Sequence, residues 1–99
     1  MRYIFDWDPE KAKENATKHD VSFERAAAII LDARAISILD KEHSDKEERW
    51  VTVGMDKSGA LLVAVHTFEE INSEECKVRM ISARRAAKKE SRQYAEENP

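Results

Sequence analysis

The hydrophobic positions of this chain change period along its length, and the changes divide it into elements. Residues 2–7, Arg-Tyr-Ile-Phe-Asp-Trp, alternate and are rich in aromatics, which predicts a first strand. Asp8-Pro9-Glu10 then reads as a helix start, with Asp8 as cap, Pro9 at the first helical position and Glu10 at the positive end of the dipole. That helix is expected to reach about His19, with Ala12, Asn15, Ala16 and His19 along a thin, partly apolar face. Ser22 opens a second helix, in which Phe23, Ala26, Ala27, Ile30 and Leu31 recur at core-facing spacing. From Ala35 onward the period is two, and residues 35–40, 48–56, 60–68 and 76–82 read as strands. Asp56-Lys57-Ser58-Gly59 is the hairpin turn between 48–56 and 60–68, with Gly59 supplying a positive φ.

Setting Asp56 against Ala60 pairs Trp50 with His66, Val51 with Val65 and Val53 with Val63. One face of the hairpin then carries Val51, Val53, Met55, Leu61, Val63 and Val65, and is expected to be the core. The other, with Trp50, Thr52, Leu62, Ala64 and His66, is the candidate for meeting a partner or substrate. Ser82 is expected to cap a last helix from about Ala83 to Glu97. The order β-α-α-β-β-β-β-α implies an α+β fold, an antiparallel sheet with its helices gathered on one side.

Ninety-nine residues suffice for one core, so a single domain spanning 1–99 is expected. No apolar run is long enough to span a bilayer, and the N-terminus lacks the pattern of a signal peptide. Cys76 is the only cysteine, which excludes an intrachain disulfide and a cysteine-rich metal site. The expected location is the cytoplasm, with no membrane association. The net charge of −3 argues against nucleic acid until its distribution is considered. From Lys77 to Arg92 there are seven cations (Lys77, Arg79, Arg84, Arg85, Lys88, Lys89, Arg92) and one carboxylate, Glu90, so the remainder is strongly acidic. Segregation of this kind marks either a local anion site or a solvated basic helix face.

On a helical projection of residues 83–97, Ala83, Ala87, Glu90 and Tyr94 share one sector. A Glu on a small-residue face needs a cation beside it, and Arg79, Arg84 and Arg49 are the candidates. The pair either anchors the helix or forms a tuned carboxylate beside guanidiniums, whose planar, permanent charge suits phosphate. His66 is either a general base or RNA-stacking group, or a strand histidine packed on an aromatic. His19 either caps its helix or touches a ligand beside Lys18, and His43 reads as exposed. Trp7 and Trp50 read as core or partner contacts.

The run Val78-Arg79-Met80-Ile81-Ser82-Ala83-Arg84-Arg85-Ala86, followed by Glu90 and Tyr94, resembles the closing signature of the BrnT toxins. Phe5-Asp6-Trp7-Asp8-Pro9 with Lys11, then Asn15, Lys18-His19 and Val21-Ser22-Phe23-Glu24, is similar to that family's opening, and Glu48-Arg49-Trp50 also fits. The resemblance covers nearly the whole chain in order. It departs at Asp20, where the family typically has Gly to end the first helix; Asp tolerates the left-handed conformation at modest cost.

The resemblance implies a RelE-like fold, endoribonuclease activity on single-stranded messenger RNA with inhibition of translation, and neutralisation by a BrnA-type antitoxin. Operator DNA would be met only indirectly, through that antitoxin. No set of His, Cys and carboxylates at ligand spacing offers a metal, and no cofactor is expected, so side chains would supply the chemistry. The catalytic candidates are Arg79 and Arg84 as phosphate stabilisers, with Arg49 assisting. Glu90 is a base or the orienter of an Arg, and Tyr94 a proton donor or a stacking group. Lys18, His19, His66, Arg85 and Lys88 are the expected RNA contacts. Two other readings are a catalytically silent module that binds a DNA-binding antitoxin and modulates autoregulation, and a non-catalytic RNA binder using the basic segment.

Overall fold

Both faces of the central hairpin carry large apolar side chains; one is fully covered and the other only in part. The computed structural model describes residues 1–99. The elements are β1 (Arg2–Asp6), α1 (Pro9–His19), α2 (Phe23–Ile30), β2 (Ile36–Leu39), a 3-10 turn (Lys41–His43), β3 (Arg49–Met55), β4 (Leu61–Thr67), β5 (Glu69–Glu70), β6 (Glu75–Arg85) and α3 (Lys88–Glu97). The sheet order is β1-β6-β4-β3-β2, with the short β5 also on β6. No helix is long and apolar enough to cross a membrane.

The hairpin register is the expected one, with Trp50 opposite His66, Val51 opposite Val65 and Val53 opposite Val63. At its turn Gly59 adopts φ 87°. Asp8 caps α1 by accepting from the Glu10 N–H at 2.9 Å, Ser22 caps α2 through the Arg25 N–H at 3.1 Å, and Asp20 closes α1 in the left-handed region at φ 55°.

Three expectations about the sheet are corrected. It is not wholly antiparallel: β1 runs parallel to β6, and a parallel pair needs the long crossover that the intervening elements provide. The helices do not share one side. Phe23, Ala26 and Ile29 of α2 pack with Leu62, Ala64, Val78, Met80 and Ala83, so the face expected to meet a partner holds the main core. The face expected to be the core is covered only in part, by Tyr94 of α3 against Val53 and Val63. Gly54 permits the close approach of α2, since a Cβ there would lie 2.9 Å from the Ile29 Cβ.

The third correction sets the position of the site. Ser82 caps nothing; β6 continues through it to Arg85, and α3 begins at Lys88 after Ala87. Pairing of Val65 with Ser82 but His66 with Met80 leaves Ile81 as an extra residue, a bulge in β6. Beyond Arg79 the β1 side of β6 has no strand partner. There Asn15 of α1 substitutes, accepting from the Ala83 N–H at 3.0 Å and donating to the Ala83 carbonyl at 2.8 Å. Its amide also donates to the Val21 carbonyl, so one buried side chain joins α1, the start of α2 and β6.

Candidate functional site

Alternation along three adjacent strands places the arginines. Val78 and Met80 point into the α1–α2 core, so Arg79 between them points out of the opposite face. Arg49, opposite Thr67, lies in the same row, and the Thr67 hydroxyl accepts from the Arg79 N–H at 3.1 Å. Past the bulge, Arg84 pairs with Val63, which faces α3, and so joins the same face. The open part of the α3 side of the sheet thus displays Arg49, Arg79 and Arg84.

They do not form one cluster. Four residues of β6 lie between Arg79 and Arg84, one of them the bulge; the four steps of β4 alongside, Thr67 to Val63, span roughly 13 Å at about 3.3 Å per residue. Near Arg79, the Glu47 carboxylate accepts from its guanidinium and lies 3.9 Å from the Arg49 Nε. A pocket of about 260 Å³ at this end is lined by Asp8, Lys11, Arg49, Arg79, Met80 and Ile81. At the far end, Arg84 makes a two-pronged bond with Glu90, at 2.8 and 2.7 Å. Glu90 also accepts from the Ala87 N–H at 2.7 Å, closing the first turn of α3. The Arg84 bonds outweigh burial and hold the Glu90 carboxyl below the usual range, while Glu90 raises Arg84. A carboxylate so held is a poor base. Of the two roles expected for Glu90, orienting an Arg is the one this geometry favours.

The other candidates fall outside these clusters. Tyr94 is buried, and its hydroxyl donates to Asp32 at 2.7 Å; that bond, with burial, raises the phenol. Asp32 also accepts from the Met55 and Arg34 N–H groups, so Tyr94 fastens α3 to the sheet and is removed from any proton transfer at the arginines. His66 is fully buried beneath the main core face. It bonds to the Thr52 hydroxyl at 2.6 Å and the Thr67 carbonyl at 3.2 Å, edge-on to Phe68. Burial lowers its pKa, and the expected contact with RNA is corrected: the ring is a satisfied core histidine. Lys18 and His19 end α1, on the opposite side of the sheet from the arginines. Lys18 lines a shallow depression on the outer surface of its own helix. Arg85 and Lys88 are exposed, but Arg85 pairs with Leu62 and so projects from the face opposite Arg84, while Lys88 opens α3.

Two members of the Arg79 cluster carried no chemical role in the sequence. Lys11 stood only in a family-like run, and Glu47 in a charged loop where nothing distinguishes it from Asp45 or Glu48. Their proximity to β6 depends on long-range pairing that leaves no local signal.

The fold and this face define a small α+β protein with guanidiniums from separate strands directed at one open surface. The description "Ribonuclease toxin, BrnT, of type II toxin-antitoxin system" belongs to a family model that matches residues 7–90, and the chain belongs to that family. The matched stretch contains Arg49, Arg79, Arg84 and Glu90 and ends before Tyr94. The ribonuclease toxin BrnT of Brucella abortus, known from a crystal structure at 1.1 Å resolution, is similar in fold. Its TM-score is 0.60 at 21% identity, covering 89% of this chain and 100% of that one. No curated protein matches the sequence significantly.

Proposed function

We propose that this chain is an endoribonuclease that cleaves single-stranded messenger RNA without a metal and so inhibits translation. A BrnA-type antitoxin holds it in check, and contact with operator DNA runs through that partner. The observation that carries the reading is the display of Arg49, Arg79 and Arg84 on one open face, with Arg84 aimed by Glu90. In this reaction the ribose 2′-hydroxyl gives its proton to water as its oxygen attacks the adjacent phosphorus, the P–O5′ bond breaks with the 5′-oxygen taking a proton from water, and a 2′,3′-cyclic phosphate remains. Negative charge accumulates on the phosphate oxygens between these events, and fixed guanidiniums stabilise it.

One phosphate cannot meet all three arginines. The scissile phosphate is assigned to Arg49 and Arg79, where two guanidiniums and Lys11 line one pocket. Arg84 takes a phosphate further along the strand. Charge stabilisation, rather than a dedicated base, is what this surface offers.

The test is incubation of the purified chain with labelled single-stranded RNA in excess EDTA. Cyclic phosphate ends are expected. Arg79→Ala should lower kcat by about 10²-fold, the usual effect of removing one transition-state donor. Arg84→Ala and Glu90→Gln should chiefly raise KM. Full turnover by Arg79→Ala would refute the site. No cleavage in vitro, together with no growth arrest on expression, would favour the silent interaction module.

A further inference from the structure

The Arg49–Arg79 subsite already holds an anion, and the chain supplies it. Glu47 reaches back from the loop before β3, so that one carboxylate oxygen lies against the Arg79 guanidinium and 3.9 Å from the Arg49 Nε. That arrangement satisfies one arginine and not the other. The Arg49 Nε is shielded from solvent and has no hydrogen-bond partner. A buried guanidinium N–H without an acceptor is uncommon, and here the nearest carboxylate is too far to bond it. A phosphate, with more acceptor oxygens spread over a tetrahedron, can serve both guanidiniums where a planar carboxylate serves one.

The loop is built to release this contact. Its base is fastened: the Asp40 N–H donates to the Arg49 carbonyl at 2.8 Å, and the Ser44 hydroxyl accepts from the Arg49 N–H at 3.0 Å. Of residues 45–48, only Glu47 is bonded to the rest of the protein. Withdrawing it therefore breaks one hydrogen-bonded ion pair, with Arg79, and the looser one with Arg49, both partly exposed, and leaves the strand anchors intact.

We infer that Glu47 is an internal phosphate mimic, which occupies the Arg49–Arg79 subsite in the free protein and must be displaced by a phosphate of the RNA. The inference rests on the function proposed above and adds a competitor to its site. An ion pair this exposed sets the size of the competition at about three- to fivefold in affinity.

Glu47→Gln and Glu48→Gln remove the same charge from the same loop, but Glu48 is exposed and makes no ion pair, so the two variants separate specific competition from net charge. Each full-length protein would be titrated with a 2′-O-methyl single-stranded oligonucleotide, which cannot be cleaved, and with inorganic tripolyphosphate. Glu47→Gln is expected to bind both probes about three- to fivefold more tightly than Glu48→Gln. That gain should vanish when Arg79→Ala is added. Equal affinities for the two variants on both probes would overturn the inference. Equal, tight binding of the oligonucleotide would do so while leaving the RNA reading in place. A gain for tripolyphosphate with no oligonucleotide binding would instead support the mimic and sink the RNA reading.

Discussion

Replacing Asp56 by Asn probes the turn that fixes the β3–β4 register beneath the arginine face. Asp56 is buried, yet one of its oxygens accepts from the Ser58 N–H, the Ser58 hydroxyl and the Ala60 N–H. The other meets Arg25 of α2, at 3.0 Å to Nε and 2.9 Å to a terminal nitrogen. Burial alone would push this carboxyl up. The Ser58 hydroxyl, the Ala60 N–H and Arg25 outweigh it and hold the pKa at about 2, against an ordinary 3.8. At about 1.4 kcal/mol per unit, the ionised group contributes about 2 kcal/mol to folding. Because the folded pKa is the lower one, that contribution is complete above the unfolded value of 3.8 and is lost as pH falls through about 2. Urea unfolding followed by the fluorescence of Trp7 and Trp50 should show Asp56→Asn about 2 kcal/mol less stable at pH 7. The gap should close as the pH is lowered below 4. A gap that stays constant from pH 5 to the acid limit would refute the assignment, and so would one under about 0.5 kcal/mol at pH 7.

Three other substitutions examine separate parts of the structure. Burial depresses the His66 pKa below 6.5, so the neutral ring supports folding fully above that value and progressively less as pH falls below it. Stability should therefore drop between pH 7 and 5 in the parent chain and much less in His66→Gln; parallel pH profiles would contradict this. Gly54→Ala places a methyl 2.9 Å from the Ile29 Cβ and 3.0 Å from its carbonyl oxygen, and should cost about 1–3 kcal/mol by thermal unfolding. An unchanged Tm would mean that α2 does not dock as described. Tyr94→Phe deletes the bond to Asp32 and should cost about 1 kcal/mol, with faster amide exchange in α3 and no change in RNA cleavage. Lost cleavage at unchanged stability would return Tyr94 to the chemistry.

Local signals were legible where their causes are local. Asp8-Pro9, Ser22 and Asp56–Gly59 act within a few residues, and each cap and turn forms as expected. That Glu90 needs an Arg beside it was also readable, although Arg84, the partner found, was one of three candidates. The end of β6 was not. Its bulge at Ile81 spaces the buried Met80 and Ala83 three apart, which reads as a helical repeat and hides the strand. Treating Ala83 onward as helix then drew Arg84, Glu90 and Tyr94 into one imagined site, whereas the strand turns Arg84 toward α3 and Tyr94 toward Asp32. The two-faced hairpin was ambiguous for a different reason. Leu62 and Ala64 on one side and Val51, Val53 and Val63 on the other all satisfy alternation, and no pattern within β3 and β4 shows which helix arrives where.

The parallel pairing of β1 with β6 also has a consequence in time. β6 is the strand that separates β1 from β4, so until it is in place the sheet consists of a lone N-terminal strand and a β2–β3–β4 meander with no link between them. Asn15 likewise waits for Ala83, whose carbonyl accepts one of its bonds and whose N–H donates the other. During synthesis β1, residues 2–6, stays unpaired until residues 75–85 have emerged, and those same residues carry Arg79 and Arg84. The arginine face is therefore complete only when the sheet is, and a nascent chain cannot present all three guanidiniums before β6 has emerged.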